Sequence, residues 1–165
     1  MDFGQKYCQK CGTLLASRPL ENEGLVPYCE QCGEFRFPMY NVAVSMIVTD
    51  EKSGDILLIQ QYGREAYILV AGYISRGERA EDAVIREIKE ETGLTVSRIR
   101  FNRTKFFEKS NTLMCNFTAW IRDRNEISPN GEIDRYQWFA PAEARKAILH
   151  GSLAEEFLIA SLDEA

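Results

Sequence analysis

The chain has 165 residues, of which 45% are hydrophobic and 27% charged. That is enough for one substantial core plus a small appendage, and no apolar run approaches the roughly 18 residues a membrane helix requires. The formal net charge of -5 argues against a large electrostatic footprint on DNA or RNA, so nucleic acid is not an expected partner. Met1-Asp2-Phe3-Gly4-Gln5-Lys6 lacks the apolar centre of an export signal, and the expectation is a cytoplasmic protein.

In chain order, Cys8 and Cys11, then Cys29 and Cys32, form two Cys-x2-Cys pairs, each followed by a glycine, Gly12 or Gly33. This spacing is a zinc-site signature. Four thiolates suit a closed tetrahedral site, and the glycines permit the tight turn that aims the next amides at sulfur. Disulfides do not fit a chain without an export signal, and a redox pair would not need a matching second pair. Residues 1–36 thus read as a zinc ribbon of short hairpins with too few apolar residues for a core of its own. Cys115, in a predicted strand, reads as a small buried apolar residue. Phe35-Arg36-Phe37-Pro38 marks a boundary, and residues 37–165 form the second predicted domain.

Asn41 to Thr49 is rich in Val and Ile and reads as a buried strand. Ile56 to Gln61 reads as a second, joined to it by the turn Lys52-Ser53-Gly54-Asp55 as a hairpin. Tyr67 to Val70 leads into a loop, and Arg79 or Ala80 to Thr92 reads as a helix stopped by Gly93. Further strands are predicted at Arg98–Glu108, Leu113–Arg122 and Tyr136–Phe139. Two helices follow, one from Pro141 to Leu149 and one from Leu153 to Leu162. Strands mixed with helices give an α/β or α+β fold.

The helix before Gly93 carries an anomaly. Ala80, Ala83, Val84 and Ile88 form one apolar stripe, yet Glu87 and Glu91 fall within it and Glu90 lies at its edge. Carboxylates aimed at a core cost on the order of several kcal/mol each unless neutralised. A hard divalent cation such as magnesium, which takes oxygen ligands, would neutralise them.

The surrounding residues are Gly72, Glu78, Arg86-Glu87-Ile88, Glu90-Glu91 and Gly93-Leu94. Their spacing, G-x5-E-x7-R-E-U-x-E-E-x-G-U with U aliphatic, resembles the Nudix box at every fixed position. The resemblance implies an α/β/α sandwich around a mixed sheet. It also implies hydrolysis of a nucleoside diphosphate linked to another group, with magnesium or manganese. Glu87 and Glu91, one turn apart, can reach one metal cluster, while Glu90 is either a further ligand or the base. Arg86 is expected to orient a carboxylate through a bidentate pair with Glu78. His150 reads as a surface residue, which leaves a carboxylate or a metal-bound hydroxide as base.

A zinc ribbon directly before such a domain is similar to the NADH pyrophosphatase branch of that family. The resemblance implies base stacking for Phe37 of Phe37-Pro38 and nucleotide contact for Tyr73. It makes Glu132, of Glu132-Ile133 ahead of Trp138-Phe139, a further metal ligand. It gives Ala71 a backbone carbonyl for metal and Ala154 a backbone contact to substrate. Core packing is the other reading of Phe37 and Tyr73, and a surface carboxylate the other reading of Glu132. The branch also carries a Ser-Gln-Pro-Trp-Pro-Phe-Pro-x-Ser stretch after the box. Here Thr104 to Thr112 keeps only an aromatic, Phe107, and the closing hydroxyl residue, Thr112. A pyrophosphatase acting on NAD(H), ADP-ribose or a similar molecule is thus one expectation, and the branch implies a homodimer. The other is a nucleotide-sensing module, or one in which the ribbon binds nucleic acid or protein. The ribbon's balance disfavours a phosphate-binding role, with Lys6, Lys10, Arg18 and Arg36 against Asp2, Glu21, Glu23, Glu30 and Glu34.

Overall fold

The computed structural model describes residues 4–164. These fall into two compact units, divided between Tyr40 and Asn41.

In the N-terminal unit, β1 (Ala16–Leu20), β2 (Gly24–Cys29) and β3 (Glu34–Phe35) form an antiparallel sheet in that order. Tyr28 packs edge-on against Phe35, and the Arg18 guanidinium lies over the Tyr28 ring while pairing with Glu30. Among the described residues of this unit, the buried hydrophobics are Cys8, Val26 and Cys29. One valine between two cysteines is not a core that folds a chain of this length, so its order depends on what the thiols hold.

The C-terminal unit is a mixed sheet between helical layers. Its strands are β4 (Asn41–Asp50), β5 (Ile56–Gln61), β6 (Val70–Tyr73), β7 (Val96–Phe107), β8 (Thr112–Ile121) and β9 (Ile133–Phe139). They run β7-β8-β4-β5-β9, with β6 also on β4. β4 and β8 are parallel and the other pairs antiparallel. β4 alternates as a strand buried on both faces must. Val44, Met46 and Val48 join Ala83, Val84 and Ile88 of α1 (Ala80–Thr92) in one core. Ile47 faces the other way, toward Ala144 of α2 (Pro141–Ala147) and Phe157 and Leu158 of α3 (Leu153–Asp163). Among the described residues no helix is long and apolar enough to cross a membrane.

Three expectations need correction. The β4–β5 hairpin pairs in register only at Thr49–Ile56, because β6 takes the place beside β4 from Ala43 to Met46 and β5 turns away to pair with β9. β9 starts at Ile133 rather than Tyr136, since Gln61 and Ile133 extend the pairing past a bulge. α2 stops at Ala147 because Ile148 is extended and bridges Tyr67, whose carbonyl accepts from the Leu149 amide at 2.8 Å.

Candidate active site

The site begins where β6 runs out. From Tyr73 the chain loops through Ser75, where the Ser75 amide donates to Glu78 Oε2 at 2.8 Å, and then enters α1. Arg86, on α1, ties this loop down. Its Nε and Nη2 grip Glu78 at 2.7 and 2.9 Å, and Nη2 also donates to the Tyr73 carbonyl at 3.0 Å. Its Nη1 donates to Glu87 at 2.7 Å and to Glu90 at 3.1 Å. The Arg86 guanidinium and the Ser75 amide hold the Glu78 carboxyl down to about 2. Gly72 serves the same geometry by what it lacks, since a Cβ there would lie 2.0 Å from Glu87 Cδ. The Glu87 carboxylate therefore rests against bare β6 backbone.

These elements form one wall of a cavity of about 420 Å3 lined by Ala71, Gly72, Tyr73, Glu87, Glu91 and Glu132, among others. Glu91 is 5% exposed, and Gln61 Nε2 donates to its Oε2 at 2.9 Å. Burial, then the charges of Glu87 and Glu132, push its carboxyl up to about 7 against the Gln61 bond. A carboxyl buried beside other acids, with an amide rather than a cation as its partner, is held toward its neutral form. Oxygen donors of this kind fit a hard divalent cation, although among the described residues only the four cysteines already hold their ligand atoms within 4.8 Å of one another. Glu90 is exposed, paired with Arg86, and outside the cavity lining.

Tyr73 is 59% exposed and Phe37, in the N-terminal unit, 54%, so neither ring is core packing. Ala154 does not line the cavity; it packs on the core beneath α2 and α3. His150 is an exposed residue paired with Glu155 at 2.9 Å. Cavity residues not anticipated from sequence are Ala43, Gln61, Tyr62, Ser110, Thr112 and Met114. Gln61 and Tyr62 close β5. Ser110 and Thr112 sit at the β7–β8 turn, where Asn111 adopts φ 49°. Of these, Thr112 alone carried a signal in the sequence, as the closing hydroxyl of the Thr104–Thr112 stretch.

The four N-terminal cysteines form a second cluster. Gly12 and Gly33 both take the left-handed conformation, with φ of 75° and 69°, and their amides return to the Cys8 and Cys29 carbonyls at 2.7 and 2.8 Å. Cys8 and Cys32 sulfurs lie 3.9 Å apart, and those of Cys11 and Cys29 3.4 Å. Burial pushes the Cys8 thiol up, but the Arg36 guanidinium, donating at 3.3 Å, and backbone amides more than reverse this, leaving it at about 6. Cys32 is pushed up to about 12, chiefly by Cys11 and by burial. The thiols cannot all ionise together unless a cation joins them, and their arrangement fits a single metal ion.

Comparison with known proteins matches this architecture. The model of the NUDIX domain family covers residues 39–158. A Pseudomonas fluorescens protein described as an NAD-capped RNA hydrolase, NudC, is 31% identical over 82% of this chain and 48% of its own. Its Vibrio parahaemolyticus counterpart is 29% identical over 93% of this chain and 58% of its own. The chain thus spans about half the length of the curated relatives it matches. Among solved structures, a NUDIX hydrolase from Nitrosomonas europaea superposes with a TM-score of 0.66 at 20% identity, covering 97% of this chain and 92% of that one. The NUDIX domain of Shewanella oneidensis NrtR, complexed with ADP ribose, gives 0.64 at 15% identity over 83% of this chain and 93% of its own. With the box in place and the family match extending over most of its length, this chain belongs to the Nudix family.

Proposed function

We propose that the chain hydrolyses the diphosphate linkage of a nucleoside diphosphate derivative, NAD(H), ADP-ribose or a close analogue, to mononucleotide products. The observation that carries this reading is the convergence of Glu87, Glu91 and Glu132 on one cavity beside an exposed aromatic, Tyr73. Their hard oxygen donors suit magnesium or manganese. Bound there, such a cation would offset the charge that builds on the phosphate oxygens and activate water.

The chain's own groups supply the rest. Arg86 holds Glu87 in place and neutralises Glu78 and Glu90 outside the cavity. The Ala71 carbonyl is assigned to the metal by resemblance, and Tyr73 offers a flat face for a base. Ser110 is exposed at the cavity edge, and its hydroxyl pairs at 2.9 Å with that of the buried Thr112, which also donates to the Ser110 carbonyl at 3.0 Å. His150 does not line the cavity, which leaves a carboxylate there or a metal-bound hydroxide as the base. Phe37 is assigned to base stacking by resemblance alone.

The same reading places zinc on Cys8, Cys11, Cys29 and Cys32, because four thiolates suit it. A reducing cytoplasm agrees with thiols kept free for metal. A homodimer belongs to the proposal too. It is supported by the long edge strand β7, with Phe101 and Phe106 exposed on it, and light scattering giving a monomer mass at micromolar concentration would count against it. The names of the curated relatives support an NAD-type head group, and an NAD-capped RNA belongs in the substrate panel beside free NAD. The decisive test is turnover of that panel with magnesium or manganese. Glu87→Gln should lower kcat by orders of magnitude with the fold intact. Wild-type-like turnover in Glu87→Gln, or no cleavage of any panel member by the wild type, would defeat the reading.

A further inference from the structure

Resting on the reading of the cavity as a divalent-cation site, we propose that Tyr62 is a positioning residue that tethers Glu132 for cation binding. The three cavity carboxylates are not equally constrained. Glu87 is fixed by Arg86 and by the bare backbone at Gly72, and Glu91 by burial and Gln61. Glu132 is exposed, at the loop end that leads into β9. Its backbone amide donates to Asn130 Oδ1 at 2.9 Å. Among the described residues its carboxylate has one hydrogen-bond partner, the Tyr62 hydroxyl, which donates to Oε2 at 3.0 Å.

The backbone under Tyr62 points the same way. Tyr62 has φ 56° and Gly63 φ 69°, and the Arg64 amide returns to the Gln61 carbonyl at 3.1 Å. Both central residues of this turn therefore have positive φ, a conformation that asparagine or glycine takes readily and a bulky aromatic does not. The ring is 71% exposed, so core packing does not explain the choice of residue. The Gly63 amide donates to Asp134 Oδ2 at 2.6 Å and locks the turn to the strand that begins after Glu132. Strain held at a functional site by its surroundings is the pattern expected when the side chain has a task. A phenol suits that task. It holds one carboxylate oxygen by a neutral hydrogen bond and leaves the other free, and it adds no positive charge to compete with a cation, as Arg or Lys would. Consecutive residues at the end of β5, Gln61 and Tyr62, thus hold two carboxylates of one cavity.

The test uses the full, zinc-loaded chain and Mn2+ binding followed by electron paramagnetic resonance, with melting temperature alongside. Tyr62→Phe, which removes only the hydroxyl, should weaken Mn2+ roughly tenfold. It should raise the metal concentration for half-maximal activity while the KM for substrate stays near wild type. Tyr62→Asn should weaken Mn2+ similarly and yet leave the melting temperature equal or higher, because asparagine relieves the turn. A purely structural role predicts the reverse, a lower melting temperature with unchanged Mn2+ affinity, and that result overturns the proposal. Tyr62→Phe added to Glu132→Gln should weaken Mn2+ no further. If it does, the hydroxyl acts elsewhere and the proposal falls. A wild-type chain that binds no Mn2+ beyond its zinc site sinks the cavity reading itself. Mn2+ binding that is weakened by Glu132→Gln but untouched by Tyr62→Phe sinks the Tyr62 assignment alone.

Discussion

Glu91 is the residue whose environment most opposes its charge. Its folded carboxyl is held at about 7, against 4.5 ordinarily, by burial and by Glu87 and Glu132. A folded state that keeps its proton longer than the unfolded chain loses stability as pH rises. The penalty is absent below about pH 4.5, grows toward pH 7 and is complete above it. At 1.36 kcal/mol per pKa unit it is on the order of 3 kcal/mol. In zinc-loaded protein without magnesium, Glu91→Gln should therefore melt higher than wild type at pH 8, at roughly 2–4 °C per kcal/mol, and equally near pH 4.5. Added magnesium should stabilise the wild type more than the variant. A melting difference that stays constant across this range would refute the account. Gly72 makes a second residue-scale argument by steric exclusion. A methyl group 2.0 Å from Glu87 Cδ cannot coexist with the present carboxylate position. Gly72→Ala should cost about 1–3 kcal/mol of stability and lower kcat at least about 100-fold by expelling Glu87. Retained kcat, measured beside the melting curve, would show that Glu87 works from another position.

At the scale of elements, the two groups proposed to hold metal differ in what they rest on. α1 buries Ala83, Val84 and Ile88 under the sheet, so its glutamates are presented by a helix that needs no metal to form. Among the described residues, the buried hydrophobics under ribbon strands β1 to β3 are Val26, Cys8 and Cys29. Chelating the expected single zinc should therefore abolish amide-exchange protection in β1 and β2 while β4 and β8 remain protected. Protection of Val26 in metal-free protein would contradict this. The same contrast explains what the sequence made legible. α1, its glycine stop and the two Cys-x2-Cys knuckles are local patterns, readable from spacing alone, and Glu91 betrayed itself by lying on an apolar stripe. The exchange of β5 for β6 beside β4 is a matter of long-range pairing, which no local period encodes. Gln61 and Tyr62 reach the cavity only because β5 leaves β4 to pair with β9, and Ser110 and Thr112 only because β7 folds back on β8. Ala154 owes its assignment to a match in chain position alone, and its side chain packs on the core beneath α2 and α3.

For the molecule as a whole, substrate choice follows from what surrounds the carboxylates. The net charge of -5 and the three acids in the cavity make a bare polyanion a poor ligand without divalent cations. Recognition must then come from the base and from the metal-bridged diphosphate. In the proposed function Tyr73 would supply a flat face, worth about 0.5–1.5 kcal/mol beyond area burial for an aromatic pair. Stacking of that kind holds one half of a dinucleotide and reads nothing of the other. In place of a proline-braced recognition stretch the β7–β8 turn offers the small polar side chain of Ser110, braced by the buried Thr112, with Phe106 exposed and Phe107 half-buried before it. A single serine there can meet a phosphate or ribose oxygen common to many substrates, but it forms no slot for a nicotinamide ring. NADH, NAD and ADP-ribose should therefore be cleaved with similar kcat/KM. Tyr73→Ala should raise KM more than it lowers kcat, because stacking is shared by ground and transition states. Steady-state kinetics on these three and a dinucleoside polyphosphate decide the matter. A preference for NADH above about 100-fold, roughly 2.7 kcal/mol of discrimination, would mean that the β7–β8 turn reads the nicotinamide half after all.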